Sequence, residues 1–239
     1  MEGTARAVGP GPKIALGAMG TGPSWRRRYA GTAATLAVAA ALATSAMSAR
    51  GSPKYPYVKT SEERTYVRVP NEWALFDEDQ LVTTLDESRE AKELYKRLTW
   101  SVGFDAAPRP SLDHIASISA DHPKGLVLVR SLLPEQRDRF SLSALRSVLL
   151  GFDPLEAQEE GVEVVDSRDV DRPGGLHGNE IVVNLTTPEG ERVKWHQIAL
   201  VDSAVRKVHM LSISCDDDCY AANEKVIGEV MASWQVKER

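Results

Sequence analysis

EIVVNLTTPEGERVKWHQIALVDSAVRKVHMLSISCDDDCYAANEKVIGEVMASWQVK, residues 180–237 of a 239-residue chain, is the stretch whose reading decides the fold. Apolar and polar residues alternate on either side of Pro188, Glu189 and Gly190, the pattern of two strands joined by a three-residue loop. That loop sets Leu185 opposite Val193 and Val183 opposite Trp195, on a buried face shared with Ile181, Ala199 and Val201. Asn184, Arg192, Lys194 and His196 fall on the other face, which is wet at that end. A third antiparallel strand is expected over 205–214, after a turn at Asp202 and Ser203. The register that pairs Trp195 with Leu211 and Val193 with Ile213 keeps apolar side chains together. A register of opposite parity could set His196 against His209.

A helix over 219–233 closes the block, with Tyr220, Ile227, Val230, Met231 and Trp234 as its apolar stripe. Gly228 inside it costs about 1 kcal/mol relative to alanine, which leads us to expect close packing there. The chain has two cysteines, Cys215 and Cys219, separated by three aspartates. Outside the cytoplasm so close a pair oxidises, and a Cys215–Cys219 disulfide would pin the third strand to the helix start. Aspartates at a helix amino-terminus supply capping oxygens and oppose the dipole. A redox site would have two residues between its cysteines, and adjacent aspartates lack the alternate spacing of calcium loops.

Upstream, Thr65 to Val69 alternates as a strand stopped by Pro70. Residues 85–98 read as a helix capped by Asp86, with Ala91, Leu94, Tyr95 and Leu98 turned inward. Strands are expected at 99–104, 125–133 and 162–170, the second being the most apolar run and suited to the sheet interior. Residues 105–124, broken by Pro108, Pro110 and Pro123, should be a loop with one helical turn. Ser141 caps a helix that ends at Gly151.

The first 61 residues organise differently. Residues 1–24 are rich in Gly, Ala and Pro without periodicity and read as a disordered extension. Residues 25–49 have the anatomy of an export signal: Trp25-Arg26-Arg27-Arg28, then an uncharged alanine-rich run, then Ala46, Ser48 and Ala49 at a cleavage position. The run from Tyr29 to Ala49, about 21 residues, is also long enough for a retained membrane anchor. Translation from Met19 would give a more compact signal. Residues 50–61 read as a linker, which leaves 62–239 as the globular domain. The location this predicts is extracytoplasmic, secreted or held at the outer face of the plasma membrane by residues 29–49.

The amino-terminal 49 residues hold five basic residues and one acid, so the rest carries about nine negative charges. An acidic body excludes a phosphate-tracking nucleic-acid surface. Catalytic fingerprints (a Gly-x-Ser-x-Gly elbow, a phosphate loop, a dinucleotide motif) do not occur. Asp113-His114 and Asp121-His122 form the one enzyme-like constellation, since imidazole with carboxylate can bind zinc or relay a proton. They support an alternative reading as a metal-dependent hydrolase or metal carrier. A third reading is a small-ligand binder with its groove between sheet and helix.

Two motifs carry a family resemblance: Tyr66-Val67-Arg68-Val69-Pro70-Asn71-Glu72-Trp73 at the start and Ala232-Ser233-Trp234-Gln235-Val236 at the end. Residues 62–239 resemble the PsbP/Mog-like superfamily, in particular exported LpqN-type lipoproteins of actinobacteria. The resemblance implies an α+β fold, an α-β-α sandwich with a mainly antiparallel central sheet and helices on both faces. It also implies an accessory, non-enzymatic role that binds a protein or envelope component without a cofactor. Those lipoproteins carry a lipidated cysteine after the signal, and this chain has none there, so the lipid anchor does not transfer.

Overall fold

The computed structural model describes residues 57–237 except 61, 86, 119 and 158–160. The extension, the signal or anchor segment and most of the linker therefore lie outside the described residues. Among those described, no helix is long and apolar enough to cross a membrane.

A seven-stranded, wholly antiparallel sheet forms the middle layer, and its core is the block that the sequence singled out. Strands β6 (Val162–Arg172), β7 (Leu176–Thr186), β8 (Arg192–Val201) and β9 (Lys207–Asp216) run as a meander. Strands β3 (Ala74–Phe76), β4 (Thr99–Asp105) and β5 (Lys124–Ser131) form a second meander, and β5 joins β9 to give the order β3-β4-β5-β9-β8-β7-β6. A smaller sheet, β1 (Tyr57–Thr60), β2 (Thr65–Arg68) and β10 (Gln235–Val236), lies apart in the order β1-β2-β10.

Helices cover both faces of the large sheet. Residues Pro134–Arg137 (α4, after α1 at Glu78–Leu81, α2 at Arg89–Leu98 and α3 at Leu112–Ala116) lead into α5, Leu142–Leu150. Ser141 caps α5 by accepting from the Ala144 amide, and Gly151 ends it in the left-handed region at φ 77°. Leu145 of α5 is fully buried in a cluster with Leu128, Ala199, Val201, Val208 and Met210. On the opposite face α6 (Asp217–Ser233) sets Ile227, Val230, Met231 and Trp234 against Val127, Ile198, Leu200, Leu211 and Ile213. The alternation along β8 and β9 thus feeds two cores, Ala199 and Met210 to α5, Ile198 and Leu211 to α6. This is the expected α-β-α sandwich.

The first hairpin has the expected register, with Val183 opposite Trp195 and Leu185 opposite Val193. The second does not. Ile198 pairs with Leu211 and Val201 with Val208, which sets Trp195 opposite Ser214 and His196 opposite Ile213. The reason is physical: β9 is buried along both faces, so period-two hydrophobicity carries no parity information. The turn chemistry decides instead. Asp202 accepts hydrogen bonds from the Arg206 and Lys207 amides, and Val205 adopts φ 51°, so the loop is longer than the two residues expected.

Four further expectations change. Tyr57–Thr60, assigned to the linker, is an edge strand paired with Thr65–Arg68, and Val58 is buried. Asp86 lies outside the described residues, and the cap of α2 is Ser88, accepting from the Ala91 amide. Leu94 on that helix is 41% exposed rather than turned inward. Gly228 is exposed, and a Cβ built on it meets nothing within 4 Å. Gly228→Ala should therefore stabilise the domain by about 0.5–1 kcal/mol, seen as a higher urea midpoint at unchanged slope.

Candidate functional site

A cleft of about 470 Å³ opens between the small sheet and the β8–β9 end of the large one. The β1–β2 connection contributes Glu62, Glu63 and Arg64, the β8–β9 turn Asp202, Ser203, Arg206 and Lys207. Ser131 ends β5, Arg137 ends α4, and Val236 and Lys237 close the carboxyl side. His209, 5% exposed, lies at its base with Nδ1 3.4 Å from the Thr65 hydroxyl. Burial pulls the His209 pKa down to about 4, so the ring is neutral at pH 7.

Several wall groups already hold one another. Lys207 pairs with Glu63, and the Asp202 carboxylate, besides capping its own turn, lies 3.6 Å from the Arg206 guanidinium. The Arg137 Nε donates to the Leu132 carbonyl at 2.9 Å, and the Lys237 ammonium sits 4.7 Å over the Tyr66 ring. Arg64 and Val205 are the two non-glycine residues with positive φ among the described residues, at 53° and 51°. One lines the cleft and the other sits in its wall turn, and such strained conformations gather at functional sites.

The sequence candidates lie elsewhere. His114 on α3 places Nδ1 2.8 Å from Asp105, a fully buried carboxylate that also accepts from the Ala107 and Ser111 amides. His122 bonds to Asp121 at 2.9 Å, and the second ring nitrogen of His114 is 4.0 Å from that carboxylate. Asp113 sits in the first turn of α3. Among the described residues no group of three His, Cys, Asp or Glu side chains is placed to hold a metal ion. What organises this loop is Asp105 together with Lys124, whose ammonium donates to the His114 carbonyl and to both oxygens of Ser117. Burial lowers the Lys124 pKa to about 8.

Cys215 and Cys219 are joined, with Cα atoms 5.9 Å apart, so the bond ties β9 to the first turn of α6. Asp216 caps α6 through the Cys219 amide at 2.7 Å, and Asp217 pairs with Arg192 and Lys194. Reduction of this short loop should cost about 2 kcal/mol of stability, read as a lower urea midpoint with unchanged slope.

One chain of polar side chains escaped sequence reasoning. Arg168 on β6 reaches Glu180 on β7 at 2.6 Å, Glu180 reaches His196 Nε2 on β8 at 2.8 Å, and His196 Nδ1 meets the Tyr220 hydroxyl on α6 at 2.9 Å. The hydrogen bond from His196, helped by Arg168, holds the Glu180 carboxyl down to about 2, and burial pushes the Tyr220 phenol up to about 12. The two ring nitrogens of His196 thus bridge the Glu180 carboxylate and the Tyr220 hydroxyl. The hydrogen bond between His196 and the Tyr220 hydroxyl ties α6 to the sheet. No spacing rule links residues 168, 180, 196 and 220; the two hairpin registers gather the first three, and the packing of α6 on the sheet adds Tyr220.

No protein-family model matches the chain, and no curated protein matches it either. Solved structures with a similar course include cyanobacterial PsbP (CyanoP) from Synechocystis sp. PCC 6803, 12% identical with a TM-score of 0.41, covering 79% of this chain and 95% of that one. The Ran-binding protein Mog1p of Saccharomyces cerevisiae is 12% identical with a TM-score of 0.41, covering 78% of this chain and 97% of that one. LpqN, involved in cell envelope biogenesis of Mycobacterium tuberculosis, is 14% identical with a TM-score of 0.41, covering 76% and 89%. At such identities nothing of those proteins' activities passes to this chain.

Proposed function

We propose that the chain is an exported accessory domain of the cell envelope, which binds a protein or envelope component and performs no chemistry of its own. The observation that carries this reading is the cleft. Its walls come from separate turns, and four of its eight charged groups hold one another in two pairs, Glu63 with Lys207 and Asp202 with Arg206. That arrangement suits recognition by a preformed surface better than turnover. Export is supported by the composition of residues 25–49 and by the Cys215–Cys219 bond, since such bonds persist in oxidising compartments.

Cell fractionation with amino-terminal sequencing tests the compartment. The expected result is envelope or secreted protein, either processed near Ala49 or retained by residues 29–49, with both cysteines oxidised. Cytosolic protein with free thiols would overturn the reading. The binding role is tested by affinity capture from envelope extracts, where repeatedly empty captures would count against it.

A further inference from the structure

We propose that the cleft beneath the β8–β9 turn binds an anionic group, a phosphate or carboxylate carried on a small polar ligand. The proposal rests on the binding role given above and assigns it a ligand class. Arg64, Arg137, Arg206, Lys207 and Lys237 face three acids, Glu62, Glu63 and Asp202, around one cavity. The local balance is two positive charges, within a chain whose residues after the amino-terminal 49 carry about nine negative ones. A concave surface of minority sign concentrates the field and draws anions from solution, more strongly at low salt.

The chemistry of the lining agrees. Three guanidiniums offer the planar forks that match carboxylate and phosphate oxygens, and Ser131 and Ser203 add hydroxyl donors. The Arg137 Nε bond to the Leu132 carbonyl orients that guanidinium and leaves four further N–H donors on its terminal nitrogens. The Tyr66 ring steadies the Lys237 ammonium from below. Glu63 and Asp202 are held by Lys207 and by the turn amides, so they cost the anion less repulsion than unpaired carboxylates would. Arg64 is set in the wall by a left-handed backbone that a side-chain-bearing residue adopts only when its surroundings require it.

The test titrates the full chain with inorganic phosphate, citrate and glucose 1-phosphate by calorimetry, at low and high salt. A parallel arm uses vesicles of phosphatidylglycerol against vesicles of phosphatidylcholine. The expected result is saturable binding of at least one anionic probe, weakened by salt. It should fall roughly tenfold for each of Arg206→Gln and Lys237→Gln and be unchanged in Lys225→Gln on the exposed side of α6. Binding confined to soluble probes marks a soluble ligand, and binding to anionic vesicles marks a lipid headgroup; either supports the proposal.

Absence of saturable binding by every probe, or equal loss in Lys225→Gln, would overturn it. Acylation footprinting of the unmutated chain keeps the test independent of variant folding: the anion should protect Lys207 and Lys237, and unchanged labelling counts against the site. Envelope localisation without anion binding would sink this inference alone. Anion binding by a cytosolic chain would sink the accessory reading and leave the site standing.

Discussion

Gly178→Ala is expected to cost at least about 3 kcal/mol and to leave much of the domain unfolded under mild denaturant. A Cβ built on Gly178 of β7 falls 1.9 Å from the Ala199 carbonyl oxygen and 2.9 Å from the Leu200 Cα on β8. The obstacle is backbone, not a side chain that can swing aside. Relief requires the two strands to separate, and those strands carry the register on which both cores depend. The comparison with Gly228→Ala is informative, because the same substitution should stabilise where the added methyl meets open space. Equilibrium urea unfolding of the two variants reads both signs. A Gly178→Ala protein with an unchanged midpoint would show that β7 and β8 are not held as closely as described.

The Glu180 carboxylate should make stability strongly acid-dependent. Its pKa falls from an ordinary 4.5 to about 2 in the folded chain, so the native state favours the ionised form. The stabilisation is complete above about pH 4.5 and is lost as pH drops through about 2. Taken whole the shift corresponds to about 3–4 kcal/mol, and because Arg168 is 63% exposed and water screens that half of the clamp, about 2–3 kcal/mol is expected. Glu180→Gln should remove this amount at neutral pH and flatten the acid limb of a plot of urea midpoint against pH. An identical acid limb in both proteins would rule out Glu180 as its source.

The fold was legible where one face of an element meets water and the other does not. The 188–190 loop, the Ser141 cap and the Gly151 stop each have a local chemical signature, and each stands where expected. Legibility fails in β9, whose two buried faces erase the alternation, and at Gly228, whose propensity cost reflects no packing constraint. The aspartate–histidine pairs at 113–114 and 121–122 are adjacent in sequence. His114 in fact bonds to Asp105, nine residues away and fully buried, which orders the loop. The cleft was the least legible part. It is assembled from the β1–β2 connection, two distant turns and the carboxyl end, segments far apart in sequence that no spacing rule connects.

The small sheet has a practical side. Because β10 pairs with β2, the entry and exit of the domain meet at one place, and Glu62–Arg64 and Val236–Lys237 stand on the rim of the same cleft. A purification tag joined after Lys237, at the exit end of the domain, would stand at that rim and crowd it, the more so if it is rich in histidine or acidic residues. Surface immobilisation through that end would do the same. A handle inserted in the Pro188–Gly190 loop, at the far end of the β7–β8 hairpin from the β8–β9 turn, leaves the rim clear.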